Sequence, residues 1–209
     1  MSQQKTQQLV PLSSEPLALS AVDALGGRTG RFARSGNAGW WTPLRVIITL
    51  AWTFLAFGFL SKATCAGSRR GDDGTISLNW DGNRQYTSFC YNDIVPLYGG
   101  RGLDEPGFPY AYSWVEGDLT RYMEYPVLAG LFQGAVGWLA RNTYAVVEWT
   151  GMAEVSWYFG LTALVMALIW VGVIVMVFQL TGNRAWDTIL VAASPLVVIH
   201  AFTNWDIPS

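Results

Sequence analysis

Charge is what this sequence has least of. Only 13% of its 209 residues are Asp, Glu, Lys or Arg, about half the roughly 25% of a soluble domain. So little charge excludes an ordinary solvated surface. The net charge of −2 gives no basic footprint, so nucleic acid is not an expected partner. His200 is the single histidine, which excludes multi-histidine metal centres. The only cysteines are Cys65 and Cys90, and they form no C-x-x-C pair. No P-loop, G-x-G-x-x-G, G-x-S-x-G or H-E-x-x-H motif occurs, which removes the nucleotide-binding, serine-hydrolase and zinc-protease chemistries that those spacings carry.

Hydrophobic residues are plentiful, at 51%, and eleven are Trp. They concentrate in four apolar runs, at about 44–62, 125–141, 154–180 and 187–205. Runs approaching 20 residues predict membrane helices. The expected fold is therefore an all-α polytopic membrane protein with about four transmembrane or re-entrant helices. Residues 1–42 are rich in Gln, Ser, Gly and Arg and lack the apolar core of a signal peptide. They are expected to form a disordered tail, with a short helix near 16–25. Arg28, Arg31, Arg34 and Arg45 precede the first run and predict a cytoplasmic N-terminus in a multi-pass cell-membrane protein. Simple alternation then places residues 62–124 outside. A second topology lets 125–152 dip in and return without crossing, which moves Asp206 to the outer side.

The loop 62–124 is long for a connection, since most take about 4–6 residues. Two β-rich segments, 75–80 and 84–91, flank Asp81-Gly82-Asn83, a hairpin signal that would bring Cys65 and Cys90 near each other. In an oxidising compartment these cysteines can pair; the alternative is two thiols that merely pack. Gly130 and Gly134 form a G-x-x-x-G pair with Gly137 near the same face. The spacing permits close helix packing in a membrane, or arises by chance.

Several side chains in and around this loop are candidates for chemistry. Asp93 precedes the apolar turn Ile94-Val95-Pro96-Leu97; it can act as a general base, bind a divalent cation, or simply cap a helix. Glu124 opens the second run, where a carboxylate also favours a helix N-terminus. Arg101 and Arg121 can grip a phosphate or form solvated ion pairs. His200 lies in an apolar run, where an ionisable group is a functional candidate by default. Asn204-Trp205-Asp206 reads as an active group or an interfacial anchor. Asp72-Asp73-Gly74 reads as an exposed turn.

In order along the chain, Tyr91-Asn92-Asp93, Leu97-Tyr98, Gly102, Pro109-Tyr110, Glu124-Tyr125-Pro126-Val127-Leu128 and Asn204-Trp205-Asp206 form a pattern. It resembles actinobacterial polytopic membrane glycosyltransferases of the GT-C class, those like glycosyltransferase family 87, over residues 44–206. The resemblance implies a polyprenyl-phosphate sugar as donor and an extracytoplasmic glycan or glycolipid as acceptor. It implies catalytic roles for Asp93, as base, and for Glu124. Arg101, Arg121, Tyr125, His200 and Asp206 become substrate-binding candidates. A divalent cation is compatible with it, and no particular metal is implied. Members of the class usually carry many more helices, so the 209 residues are expected to represent an N-terminal portion. Two other readings stand beside it. One is a non-catalytic membrane subunit whose outer loop binds an envelope protein. The other is a transporter component lined by His200 and Asp206.

Overall fold

The computed structural model describes residues 41–205 and 207, together with Pro16 and Ser20. Almost all of the expected tail, and Asp206, lie outside the described residues. The chain is mostly helical. It runs through α1 (Pro43–Ala63), β1 (Ser68–Arg70), β2 (Ile76–Leu78), α2 (Arg84–Thr87), α3 (Ile94–Gly100), β3 (Ser113–Glu116), β4 (Leu119–Tyr122), α4 (Val127–Thr143), α5 (Glu154–Leu180), α6 (Ile189–Ala192) and α7 (Pro195–His200).

Among the described residues, two helices are long and apolar enough to cross a membrane, the 21-residue α1 and the 27-residue α5. At 1.5 Å per residue they exceed about 30 Å, the thickness of a bilayer's hydrocarbon core. Only 22% and 33% of their most apolar stretches are buried by the chain, unlike a helix in a soluble core. Leu60, Leu164, Leu168 and Met176 are among the large apolar side chains left exposed. Their threonines are satisfied within the helix. The Thr49 and Thr53 hydroxyls donate to the carbonyls of Arg45 and Thr49 at 2.8 and 2.9 Å, and Thr162 donates to the Tyr158 carbonyl at 2.8 Å.

Of the other two apolar runs, the second is a short helix near its expected place and the fourth differs from expectation. The second forms α4, which begins after Pro126 and has 17 residues, about 26 Å at helical rise. The fourth is not one helix. A 3-10 stretch, Gly182–Thr188, leads into α6, and Ala193-Ser194 separates α6 from α7, which Pro195 opens. Proline removes a helical N–H and disfavours helix at the preceding residue, so the run breaks there.

The chain divides into two compact units. One takes its described residues from the chain up to Phe54 and from Trp170–Val197, and the other from Leu55–Ile169 and Val198–Ser209. The first is built on Ile47, Ala51, Ile174, Phe178, Ala185 and Ala192. The second contains every candidate site residue described below.

The expected hairpin is corrected. Asp81-Gly82-Asn83 is a 3-10 turn followed by the helical turn α2, so 84–91 is not a strand. Gly82 and Asn83 do take the left-handed conformation a tight turn needs, at φ 67° and 56°. However, β2 pairs backwards with β1, Ser68 opposite Leu78, through the turn at Asp72-Asp73-Gly74. There Asp73 accepts from the backbone N–H and hydroxyl of Thr75 at 3.0 and 2.7 Å. These hydrogen bonds hold its carboxyl below the usual range and fix an exposed turn. A second hairpin, β3–β4, closes at Gly117.

The glycines of α4 are also corrected: they admit a loop, not a helix. A Cβ on Gly130 would strike the Tyr110 ring and one on Gly134 the Pro109 ring, while one on Gly137 would lie 2.8 Å from the Leu103 carbonyl.

Candidate functional site

α1 ends at the polar site. Cys65 and Cys90 are joined in a disulfide with their Cα atoms 5.7 Å apart. The Trp80 indole N–H donates to the Cys65 carbonyl at 2.7 Å. Three residues before Cys65, the buried Lys62 ammonium donates to the Tyr91 carbonyl at 2.9 Å. The staple and this hydrogen bond together hold the Tyr91-Asn92-Asp93 segment at the end of a membrane-length helix.

Asn92 is fully buried and caps α3, its side-chain oxygen accepting from the Val95 N–H at 3.0 Å. Asp93 makes no side-chain capping bond. Its backbone N–H donates to the Thr203 carbonyl at 2.7 Å, and its carboxylate accepts the Tyr91 hydroxyl at 2.5 Å. That hydrogen bond, with partial burial, pushes the Tyr91 hydroxyl up to about 12. Tyr91 stacks on Tyr86 with ring centroids 5.7 Å apart. Lys62, Tyr86, Phe89, Tyr91, His200 and Thr203 line a cavity of about 300 Å³. One cation, one imidazole and three aromatic faces suit a phosphate beside an apolar or sugar group.

The other candidates separate from this cluster. Glu124 pairs with Arg101, and the Arg101 guanidinium lies 4.0 Å from the centre of the Trp114 ring. One edge and one face of the guanidinium are therefore engaged by its own chain. Arg121 forms a 3.2 Å ion pair with Glu116 on the β3–β4 hairpin, both side chains largely in solvent. Asp93 and Glu124 thus have different partners, and neither lines the Lys62 cavity. Tyr125 packs edge-on against the buried Trp205 at 5.2 Å. His200 ends α7, exposed at the cavity. Asp206 lies outside the described residues.

A second cavity of about 440 Å³ lies beside α3, lined by Tyr98, Asp104 and Glu154 among others. Tyr98 donates to Glu154 at 2.5 Å and stacks on Tyr158 at 4.3 Å. Burial first, then the hydrogen bond to Glu154, raises the Tyr98 hydroxyl above its ordinary value. No group of three or more metal-ligating side chains occurs among the described residues.

Sequence reasoning missed Lys62 as part of the site and gave Tyr91 and Asn92 no role beyond their place in the motif. Lys62 stands at the end of the first apolar run, and only the spacing of Lys62 to Cys65 and of Cys90 to Tyr91 ties it to Asp93. Tyr98 and Glu154 lie 56 residues apart in sequence, so no local pattern marks them.

The chain matches no described protein family, no curated protein and no solved structure.

Proposed function

We propose that this chain is a multi-pass cell-membrane protein, N-terminus cytoplasmic, that transfers a sugar from a polyprenyl-phosphate donor to an extracytoplasmic glycan or glycolipid. The observation that carries the reading is Asp93. Its carboxylate already accepts a hydroxyl proton from Tyr91 at 2.5 Å, next to the Lys62 cavity at the end of a membrane-length helix. An acceptor hydroxyl entering in place of the Tyr91 hydroxyl meets a base in hydrogen-bond reach. The disulfide suits an oxidising, non-cytoplasmic face. Arginines ahead of α1 suit a cytoplasmic N-terminus.

In this mechanism the acceptor hydroxyl gives its proton to Asp93 and its oxygen attacks the anomeric carbon. The bond from that carbon to the phosphate oxygen breaks, and polyprenyl phosphate leaves with the electron pair. Lys62 and His200 face the phosphate and stabilise its charge. Arg101 and Glu124 hold the loop instead of reacting.

The test is transfer of radiolabelled sugar from polyprenyl phosphate by the full chain in liposomes. Asp93→Asn is expected to lower the rate by about 100-fold or more, the usual worth of a general base. Undiminished transfer by this variant rejects the assignment.

A further inference from the structure

We infer that α4 does not cross the membrane: it lies along the surface on the same side as the 62–124 loop, with an apolar face in the lipid of that leaflet. The inference rests on reading α1 and α5 as membrane spans.

Both ends of α4, and its middle, are fastened to one stretch of the loop. At its start, the Tyr110 hydroxyl donates to the Tyr125 and Pro126 carbonyls, each at 2.9 Å. At its middle, Pro109 fills the space above Gly134. Near its end, Arg141 donates to the Leu103 carbonyl. The short stretch 103–110 therefore runs alongside the helix from its start to Gly137. If α4 crossed, that stretch would cross beside it, taking Asp104, Glu105 and irregular backbone into the hydrocarbon. Non-helical backbone is not tolerated there when lipid-exposed.

The start of α5 returns to the same loop. Glu154 accepts from Tyr98, Ala153 donates its N–H to the Ser68 hydroxyl at 2.7 Å, and Phe159 stacks on Phe59, near the end of α1, at 5.6 Å. Everything from the end of α1 to the start of α5 is thus one body. Residues 202–205 join it through Phe202 on Phe59 and the Thr203 carbonyl on Asp93.

The distribution of polarity on α4 agrees. Its inward face carries Gly130, Gly137 and the fully buried polar Gln133. Its outward face carries Val127, Leu128, Leu131 and Trp138, continued after the helix by Val146 and Trp149. These side chains are 65%, 75%, 40%, 59%, 69% and 84% exposed, and Val127, Leu131 and Trp138 recur at helical spacing. Trp at the rim of such a face is the residue type favoured at a membrane boundary. The occupant of this face is the bilayer that the flanking spans enter.

The test is labelling by a membrane-impermeant maleimide in sealed, oriented vesicles of the full chain. The native cysteines are both in the disulfide, so single introduced cysteines report alone. Asn83→Cys marks the loop side, Arg184→Cys the far end of α5, and Glu148→Cys the turn after α4. Glu148→Cys is expected to label from the same face as Asn83→Cys, with Arg184→Cys protected until the vesicles are opened. Glu148→Cys labelling together with Arg184→Cys overturns the inference and leaves the spans intact. All three labelling from one face of sealed vesicles overturns the membrane-span reading itself, and the inference with it.

Discussion

α4 and α5 look alike as sequence and are used in opposite ways. Both are apolar and both carry spaced glycines. In α4 the glycines are filled: Tyr110, Pro109 and Leu103 sit where side chains would be. In α5 a Cβ on Gly160 or Gly172 would meet nothing within 4 Å. α4 is closed on one face by its own loop, whereas α5 leaves most of its surface open over 27 residues. Glycine spacing alone therefore does not identify a helix–helix contact; the partner of a small-residue face can be a proline and a tyrosine some twenty residues upstream.

The contrast breaks first at the staple. Replacing Cys65 and Cys90 together by serine frees a 25-residue separation and is expected to cost about 3 kcal/mol in the chain-entropy account. The loss should fall on the loop that holds α4 and leave α5 helical. Thermal melting in detergent, with proteolysis of the loop as a local readout, checks this. Equal loss of helix in α5 would erase the distinction.

The glycines sharpen it at single positions. Gly134→Ala forces a methyl into the Pro109 ring and is expected to destabilise by about 1–3 kcal/mol. Gly172→Ala adds a methyl in open space on a helix and is expected to be neutral or to stabilise by up to about 1 kcal/mol. Melting of the two variants side by side gives opposite signs if the contrast holds.

The smallest effect is a titration. The Tyr91 hydroxyl is raised from 10.0 to about 12 in the fold, chiefly by its hydrogen bond to Asp93. A raised folded value favours the protonated form in the native state. The associated stability is therefore complete below about 10 and is lost as pH rises towards about 12. Asp93→Asn removes the charged acceptor, so one tyrosine should ionise nearer its ordinary value. Tyrosinate absorbance, with Tyr91→Phe to identify the residue, checks the assignment.

The sequence made α1 and α5 legible because length and unbroken apolarity suffice to specify them. It also marked the 62–124 loop and the pairing partners Cys65 and Cys90. It misled where two local signals competed. Asp81-Gly82 and Asp72-Asp73-Gly74 are both turn signals, and strand β2 joined the turn that offered Ser68–Arg70 as a ready edge. The fourth run looked continuous because composition outweighed one proline, Pro195, which ends the helix before it. At the site, Asp93 was visible as a carboxylate beside an apolar turn. Its freedom from capping was not, because that depends on Asn92 taking the cap. For Arg101 an ion pair was one of two readings, but its partner Glu124 was not legible, because the pairing spans 23 residues that no spacing rule supplies.

The most direct measurement is membrane depth, read by spin labels placed singly along α4 at Leu128, Leu131, Ala135 and Trp138 and along α5 at Leu164, Leu168 and Met176. The account predicts shallow depth at both ends of α4, with lipid contact on this one face only, and a depth that passes through the bilayer centre along α5. Labels on α4 that descend to the centre and emerge at the opposite surface would contradict it.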